Sequence, residues 1–564
     1  MRITYNDKLN KLLNPYLESL LKEKSSLEPE TLTLFDLFME DLDMGGRYGI
    51  FSEILEPRLE EIIREENIES IANLMDGRLN TLFRYMLGDE FAGLFHTYLQ
   101  LEARCPHTIG YDRRAQRSAN PSNHLDHARD AWLQFLKLRA TGFSVEAILK
   151  GGNTPEDTEE FSGYMNSSYW LAAQIAQGNE KVIEYLNQVL TSENNVHRLQ
   201  RWYLHAIAIS GYRPLLELEG KLLLAAKLQE GLRQAIVETM DEGCPESYLY
   251  LFSIIYNNGL QRFASVKRSI AVCTGIGEQD SSERITNKYV ELIWNFLNHP
   301  ETARNALQSK DTVELYLALW SIGFYDTDEI RAIVPDIIRK GAKHQIQTLL
   351  YFLRCTQSSQ MNHLISKDAF EVWHDDPKVV AAILPLYMDG LYLSRYSDNK
   401  EAPTLSDYFE SPEEAVRHYG YLKQVYQSIS AKEVYSPYVF PWDCVVLTRS
   451  DVVLKMAYIA WMTNDIRLRE ELCTYLPALE SYNRASYIGI VLARTESKVE
   501  QEYVLQSLGD RSADIRDEAY KVLSEMSLSP EQYQHIEELL RFKYSEMRIN
   551  AINLLMKQPE AQLA

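Results

Sequence analysis

Apolar residues recur at intervals of three and four positions along most of the chain. In the segments 215–225 and 515–526 these residues fall on one face of an α-helix. No run alternates apolar and polar residues as a half-buried strand does, and no regular series of short strands is visible. The pattern therefore predicts an all-α protein of about 25–30 helices, each occupying about 20 residues together with its turn.

Helix starts are marked by short capping sequences. The segments 411–414 (SPEE) and 529–532 (SPEQ) each combine serine at the cap, proline next, and Glu or Gln three residues after the serine. The serine oxygen accepts from free backbone N–H groups, and the Glu or Gln side chain can bond back to the cap. These segments predict helices that begin at Pro412 and Pro530.

A repeat is visible towards the C-terminal end. The segments 505–526 and 537–558 align with an offset of 32 residues. The matching residues are Arg516 with Arg548, Ala519 with Ala551 and Leu523 with Leu555. The pattern resembles the HEAT repeat, whose second helix commonly opens with Asp, an apolar residue and Arg, followed by a small Ala. The small residue lets neighbouring helices approach closely, and the leucines fill the space between helix layers.

This resemblance implies an α-solenoid of stacked antiparallel helix pairs over residues 331–564, where weaker copies of the pattern precede the clear one. Residues 1–330 are predicted to form a helical N-terminal region, built either from diverged repeats or as a separate helical domain. C-terminal repeats on a long acidic helical part are similar to large bacterial HEAT-repeat proteins of unknown function.

The chain is strongly acidic. Lys and Arg number 58 and Asp and Glu number 80, which gives a net charge of −22. A chain of this charge repels nucleic acid and anionic membrane surfaces unless it carries a local basic groove. The six cysteines are far apart, the N-terminus has no apolar signal-peptide core, and no apolar stretch is long enough to span a bilayer. We therefore expect a cytoplasmic protein.

An arginine-rich loop is the first candidate binding site. Arg113, Arg114 and Arg117 lie in a polar run with Gly, Ser, Asn and Pro. Arginine forks bind carboxylate or phosphate groups in two-point contacts. The arginines either bind an anionic partner segment or pair with acidic residues elsewhere in the chain.

The same region carries possible metal ligands. Cys105 and His107 precede His124 and His127, and the last two share a face if their segment is helical. Thiolate and imidazole are zinc ligands, but the Cys-x-His spacing is tighter than usual. The alternative is an ordinary polar surface loop, and no metal site is assigned.

Two further loops stand out. Tyr435, Tyr438 and Trp442 lie in a proline-punctuated stretch, where aromatic side chains offer rigid contact area for a protein partner. The segment 394–412 is polar and contains two prolines. Each loop is either a functional insertion or a variable connector.

The adjacent pair His374–Asp375 resembles the core of the HD-type metal-dependent phosphohydrolases, which are also all-helical. The further positions that such a site would use are His344, His363 and Asp389. The competing interpretation is a turn between two helices, in which an aspartate caps the helix that begins at Pro377. No P-loop, Gly-x-Ser-x-Gly or His-Glu-x-x-His motif is present, and we assign neither catalytic residues nor a cofactor.

The function predicted from the sequence is a non-enzymatic scaffold for protein–protein interaction. The alternatives are a nucleic-acid-binding HEAT-like protein of the DNA-glycosylase type, which the charge disfavours, and the metal-dependent hydrolase. The partner is expected to be another protein or a further domain of a longer chain. The segment 546–557 is apolar on more than one helix face, which marks it as a surface that such a partner could cover. The alternative is that its polar residues make the outer face polar enough on their own; these are Arg548, Asn550, Asn553 and Lys557.

Overall fold

The all-α prediction is confirmed by a computed structural model of the chain, in which the described residues form 26 α-helices and two short pairs of strands. The structure describes residues 7–43, 58, 61–62, 77–105, 107–109, 114–116, 135–136, 139, 167–191, 199–226, 229–240, 243–275, 285–325, 327–356, 359–396, 400–430, 434–437, 444–541 and 545–557.

Contacts divide the chain into an N-terminal unit, Met1–Arg331, and a C-terminal unit, Ala332–Ala564. The helices that begin in the N-terminal unit are α1 (Asp7–Glu23), α2 (Pro29–Asp43), α3 (Arg78–Leu87), α4 (Asp89–Arg104), α5 (Ser167–Ala176), α6 (Glu180–Thr191), α7 (Arg201–Ser210), α8 (Arg213–Ala225), α9 (Glu230–Met240), α10 (Pro245–Asn257), α11 (Ala264–Cys273), α12 (Asn287–Asn298), α13 (Pro300–Ala306), α14 (Thr312–Tyr325) and α15 (Thr327–Lys340). Whether residues 1–330 are diverged repeats stays an open prediction.

The C-terminal unit continues the helical pattern. Its helices are α16 (Lys343–Thr356), α17 (Ser359–Trp373), α18 (Pro377–Ile383), α19 (Pro412–Ser428), α20 (Arg449–Thr463), α21 (Ile466–Leu472), α22 (Ser481–Ile490), α23 (Lys498–Ser507), α24 (Ala513–Glu525), α25 (Pro530–Leu539) and α26 (Ser545–Leu555). Single turns of 3-10 helix occur at Lys24–Ser26, Leu260–Arg262, Leu405–Asp407 and Leu476–Ala478.

The two strand pairs are features that the sequence pattern did not predict. Strands β1 (His107–Ile109) and β2 (Arg114–Gln116) pair antiparallel, and so do β3 (Val434–Pro437) and β4 (Cys444–Leu447). Each strand has only three or four residues, which is too short for an alternating pattern to be recognised.

The predicted helix starts at Pro412 and Pro530 are confirmed. The Ser529 hydroxyl accepts from the Gln532 amide at 3.3 Å, and the Gln532 side chain accepts from the Ser529 amide at 2.8 Å, which completes a capping box. The cap of α19 is only half of this motif. Its Ser411 hydroxyl accepts from the Glu414 amide at 3.2 Å, but the Glu414 carboxylate accepts from the amide of residue 410 instead.

Many helices pack against the helix that lies two places further along the chain. In the N-terminal unit α5, α7, α9 and α11 form one such succession, and α6, α8, α10, α12 and α14 form another. In the C-terminal unit α22, α24 and α26 follow one another in this way, and so do α21, α23 and α25. Buried leucine, isoleucine, valine and aromatic side chains fill the space between these helices.

The two aligned repeat copies at the C-terminal end are helical, and their matched alanines are both buried. Ala519 in α24 is 0% exposed and Ala551 in α26 is 1% exposed. Leu523 is also buried, but Leu555 is only half-buried, and its neighbour Leu554 takes the fully buried position in α26. Leu554 aligns with Val522 of α24, which is also buried, so the two helices keep the aligned register and only the pair Leu523–Leu555 differs in burial.

Helix α26 also exposes several large apolar side chains. Ile549, Ile552 and Met556 are 56%, 49% and 71% exposed.

Within the described ranges, no helix is both long enough and apolar enough to cross a membrane.

Candidate functional site

A stripe of polar residues on α17 packs against a second polar stripe on α19. The α17 residues are His363, Lys367, Glu371 and His374, and the α19 residues are Glu414, His418 and Tyr421. Spacings of three and four residues place each set on one helix face. We call these seven residues the polar seam.

His418 lies at the centre of the polar seam and is fully buried. Its Nε2 atom lies 3.0 Å from the Glu371 carboxylate and its Nδ1 atom lies 2.8 Å from the Tyr387 hydroxyl. Burial lowers the pKa of His418, and the nearby Glu371 carboxylate only partly offsets this effect. The neutral ring therefore donates from Nε2 to the carboxylate and accepts at Nδ1 from the tyrosine.

This Tyr–His–Glu chain has the hydrogen-bond order of a catalytic triad, but its tyrosine end is closed. Tyr387 is 0% exposed, and burial raises the pKa of its hydroxyl well above the ordinary value. A substrate cannot reach this hydroxyl in the structure. The chain of bonds instead locks α17, α19 and the segment after α18 together.

Both carboxylates of the polar seam have cationic partners. Glu371 accepts from Arg417 at 2.7 Å and from the Tyr421 hydroxyl at 3.2 Å, and Glu414 lies 3.1 Å from the Lys367 ammonium. Burial alone would raise the pKa of each carboxyl, but the hydrogen bonds and neighbouring positive charges outweigh it, so both pKa values are lowered. Both glutamates are therefore ionised near neutral pH.

The polar seam contains one group of possible metal ligands among the described residues. Atoms of Glu371, Glu414 and His418 lie within 4.8 Å of one another, and carboxylate and imidazole are common metal ligands. However, Lys367 and Arg417 already neutralise the two carboxylates. An ion would have to displace both cations, so the arrangement fits a closed hydrogen-bonded network better than a metal centre.

His363, at the start of the seam, binds backbone at two distant points. The Met388 amide donates to Nδ1 at 2.9 Å, and Nε2 lies 2.9 Å from the Tyr408 carbonyl oxygen, to which it donates. Burial lowers the pKa of His363 to about 4, so the ring is neutral and has one donor and one acceptor. The two bonds hold the ends of the segment 389–407, which we call the clamped loop.

A cleft of about 730 Å³ lies at the C-terminal end of α22. Its charged lining consists of Lys400, Glu401, Arg469, Arg494, Glu518, Lys521 and Glu525. The first two belong to the clamped loop, and the others come from helices α21 and α24 and from the turn after α22. The cleft thus combines four cationic and three anionic side chains in a small volume.

Part of this charge is paired within the chain. Arg469 contacts the buried Glu500 carboxylate at 2.7 Å, and Lys521 contacts Glu518 at 2.7 Å. Within the described ranges, Lys400 and Arg494 have no ion-pair partner, and both are exposed. The cleft therefore presents cations that are available to a ligand.

A glycine shapes the wall of the cleft. A Cβ atom added at Gly489 would lie 2.6 Å from the Glu518 carboxylate, closer than such atoms normally approach. Glycine at this position lets the Glu518 side chain pass close to the last turn of α22.

The arginine and aromatic residues predicted from the sequence fall mainly outside the described residues. Those outside are Arg113, Arg117, Tyr438, Trp442, His124 and His127. Arg114, His107 and Tyr435 are described only as backbone, in β2, β1 and β3 respectively. Cys105 is described and buried. The predictions for these residues stay predictions.

The residues proposed for a hydrolase core are described. Asp375 is exposed and lies 3.5 Å from the His374 ring, whereas both ring nitrogens of His363 bind backbone groups. The predicted helix cap is confirmed: the Asp376 side chain, directly before Pro377, accepts from two backbone amides at the start of α18. The hydrolase stays an untested alternative.

Sequence reasoning missed the polar seam. The signal was present in α17, where His363, Lys367 and Glu371 recur at intervals of four residues. This period places polar groups on the same helix face, but such a stripe is usually the solvent-facing side of an amphipathic helix, so it does not by itself indicate burial. The partner stripe on α19 could not be assigned to it without the structure.

No curated protein and no solved structure matches the chain significantly. Residues 34–564 match a family described as "Family of unknown function (DUF5724)". Because this match covers most of the sequence, the chain belongs to the DUF5724 family.

Proposed function

We propose that this protein is a non-enzymatic scaffold for protein–protein interaction, built as a HEAT-like α-solenoid. The packing of many helices against the helix two places further along the chain supports this architecture, because stacked helix pairs produce two such successions side by side. The buried alanines at matching positions of α24 and α26 support it further.

The cleft beside α22 is the observation that carries the proposal. Arg469 and Lys521 in its lining form ion pairs within the chain, whereas Lys400 and Arg494 line it without ion-pair partners among the described residues. Cations in a concave site suit carboxylates of a partner, while the carboxylates of Glu401 and Glu525 suit its cations. A surface of mixed charge fits a polar protein segment better than a polyanion such as DNA.

The chemistry of the described interior also supports a binding role. The buried groups of the polar seam bond to one another, and burial raises the pKa values of the Cys244 and Cys473 thiols, the latter to about 12. Thiols that stay protonated are poor nucleophiles. We place the scaffold in the cytoplasm, where cysteines that are buried and widely spaced are common.

The experiment is affinity purification of the full chain from its native cells, followed by mass spectrometry. The test variant reverses both cleft cations, Lys400→Glu with Arg494→Glu. The control reverses two exposed cations outside the cleft, Lys498→Glu with Arg541→Glu. We expect one or more proteins to co-purify with the wild type and with the control. The recovered amount of these proteins should fall at least about tenfold with the test variant, because a lost interfacial charge pair costs about 2 kcal/mol or more. Identical partner sets for both variants would contradict the cleft as the binding site, and a chain that retains no protein would contradict the scaffold.

A further inference from the structure

Three tyrosine rings lie next to one another on the C-terminal unit, two of them exposed and the third half-buried. Tyr392 and Tyr396 belong to the clamped loop and are 68% and 72% exposed, and Tyr482 lies in the first turn of α22. The ring centroid of Tyr482 is 6.4 Å from that of Tyr392 and 6.5 Å from that of Tyr396. We call these three residues the tyrosine platform. Exposed aromatic rings in contact are typical of interfaces, where they provide rigid contact area.

The tyrosine platform is held in place by polar contacts. The Tyr482 hydroxyl lies 3.0 Å from the Tyr392 hydroxyl and 3.0 Å from the Ser394 hydroxyl. Arg395 donates to the Tyr396 hydroxyl at 2.8 Å and lies over its ring, and the same guanidinium binds Asp514 at 2.5 Å. Because the rings are already positioned, little side-chain entropy is lost when a ligand binds.

The backbone under the platform is also fixed. The two His363 bonds hold both ends of the clamped loop, and the Tyr458 hydroxyl donates to the Leu391 carbonyl at 2.9 Å. The Arg395 amide donates to the Ser486 hydroxyl of α22 at 3.3 Å. Binding residues displayed on a loop with a rigid base are the usual way in which a helical framework presents a recognition surface.

We propose that the tyrosine platform binds a proline-rich segment of a protein partner in the polyproline II conformation, with a basic residue beside the prolines. This inference rests on the proposed scaffold function and names the kind of segment that one of its surfaces takes.

The arrangement of the rings supports a polyproline II ligand. That helix has three residues per turn and rises about 3.1 Å per residue, so prolines three apart, as in Pro-x-x-Pro, share one face and lie about 9.3 Å apart along the axis. The Tyr482 ring lies 6.4 Å from the Tyr392 ring and 6.5 Å from the Tyr396 ring, so the platform is longer than one ring. Two prolines on one face can therefore contact different rings, as in aromatic-lined grooves that bind proline-rich segments.

The hydroxyl groups match the same backbone. A polyproline II helix makes no internal hydrogen bonds, so its carbonyl oxygens need external donors. The hydrogen bond with the Ser394 hydroxyl, and to a lesser extent the bond with the Tyr392 hydroxyl, lowers the pKa of Tyr482. Either partner can donate in each of these two bonds. When both neighbours donate to the Tyr482 oxygen, the Tyr482 hydroxyl proton is available to a ligand carbonyl.

The charge around the platform favours a cation in the ligand. Arg395 is the platform's own cation, but its side chain is only 7% exposed and it is paired with Asp514. Asp514 is 56% exposed, and Glu480 is an exposed carboxylate two residues before Tyr482. With a net charge of −22 on the whole chain, this edge attracts a basic residue and repels an acidic one.

The test uses fluorescence anisotropy of the full chain with labelled 12-residue peptides. The panel contains peptides with Pro-x-x-Pro repeats and one Arg or Lys at either end, the same peptides with Glu in place of the basic residue, and the same peptides with every Pro replaced by Ala. We expect saturable binding only of peptides that have both prolines and a basic residue.

Three variants of the chain locate the binding site. Tyr392→Ala and Tyr396→Ala should each weaken binding at least about tenfold, as central aromatic contacts do, and Tyr482→Phe should weaken it severalfold. The control Val499→Ala removes a similarly exposed apolar side chain from α23 and should leave binding unchanged. Thermal melting of each variant checks folding, which exposed positions should barely alter.

Two results would overturn the inference: no peptide of the panel binds the wild type, or binding survives both tyrosine-to-alanine changes. Sedimentation of the chain alone can give a third contradicting result. If the wild type is a dimer that Tyr392→Ala dissociates, and no peptide binds, the occupant of the platform is a second copy of the chain. These failures are separate from failure of the scaffold. If a partner's binding requires Lys400 and Arg494 but is unchanged in the platform variants, the proposed function stays intact.

Discussion

Two buried glutamates, one in each unit, are stabilised in opposite ways. Glu219 in α8 is 0% exposed, and among the described residues neither of its carboxyl oxygens has a hydrogen-bond partner. Glu500 in α23 is also 0% exposed, but it accepts two bonds from Arg469, at 2.8 Å and 2.7 Å, and one from the Thr495 hydroxyl. The two sites share a residue type and a degree of burial, and differ in what neutralises the charge.

The difference shows that burial alone does not determine the protonation state of a carboxyl group. Burial raises the pKa of Glu219 well above 4.5, so a bound proton removes its charge. Glu500 is neutralised by a two-point arginine contact, and Glu414 of the polar seam by Lys367. A proton leaves when the pH rises, whereas an ion pair is lost when the pH falls or a partner is removed.

The largest expected effect comes from breaking the buried ion pair. Arg469→Met leaves the Glu500 carboxylate buried without its counterion, and we expect a loss of about 3–5 kcal/mol in the free energy of unfolding. Chemical denaturation measures this loss. The control is Lys340→Met, which removes an exposed partner of Asp336 and should change the free energy by less than about 1 kcal/mol. Equal effects of the two variants would show that the buried pair has no special role.

The next effect has the opposite sign. Glu219→Met replaces the unpaired carboxyl by an apolar side chain of similar length, and we expect a gain of about 1–3 kcal/mol in the free energy of unfolding, because no unsatisfied polar group remains buried. The same denaturation experiment measures it. Glu219→Gln is the companion variant, and it should gain less because its amide stays unsatisfied. A loss of stability in Glu219→Met would mean that the carboxyl has a partner in solution.

The pH dependence should separate the two mechanisms. The raised pKa of Glu219 means that the folded chain keeps a proton that the unfolded chain releases, so its stability falls as the pH rises above 4.5. The lowered pKa of Glu414 has the reverse effect, and its contribution is lost as the pH falls below 4.5 through the folded pKa. Each site changes the stability by at most about 1.4 kcal/mol per pH unit.

Melting temperatures measured from pH 4 to pH 8 test this. The advantage of Glu219→Gln over the wild type should grow with rising pH, and the penalty of Glu414→Gln should shrink at acidic pH. Parallel pH profiles for the two variants would refute the contrast.

The smallest effect concerns the closed hydrogen-bond chain of the polar seam. Tyr387→Phe removes the hydroxyl that donates to His418 and should cost about 1 kcal/mol, the usual net value of one buried hydrogen bond. His418 titration by NMR provides a second readout. Its pKa should move, because the ring loses one of its two polar contacts. An unchanged titration would show that the bond does not form in solution.

The sequence predicted what depends on local periodicity. The helical class, the starts of α19 and α25, and the burial of Ala519 and Ala551 all follow from spacings of three or four residues and from capping chemistry. The half-buried Leu555 shows the limit of this reasoning, because its aligned partner Leu523 is fully buried and periodicity alone does not determine how far each side chain is covered.

The contacts that build the candidate sites are not local. Tyr392 and Tyr482 are 90 residues apart, and His363 is 45 residues from Tyr408. No periodic pattern in one segment indicates which distant segment it meets, so neither the tyrosine platform nor the polar seam could be assembled from the sequence. The two strand pairs were missed because they are too short to show an alternating pattern.

The bonds made by His363 have a consequence for how the clamped loop can evolve. The two hydrogen bonds of the ring go only to a peptide N–H and a peptide C=O, and every residue except proline supplies both. These two bonds therefore do not depend on side-chain identity, and substitutions within the loop leave them intact. Lineages could exchange the displayed aromatic residues for others, and so change the recognised partner, while the attachment of the loop to the helices stays the same.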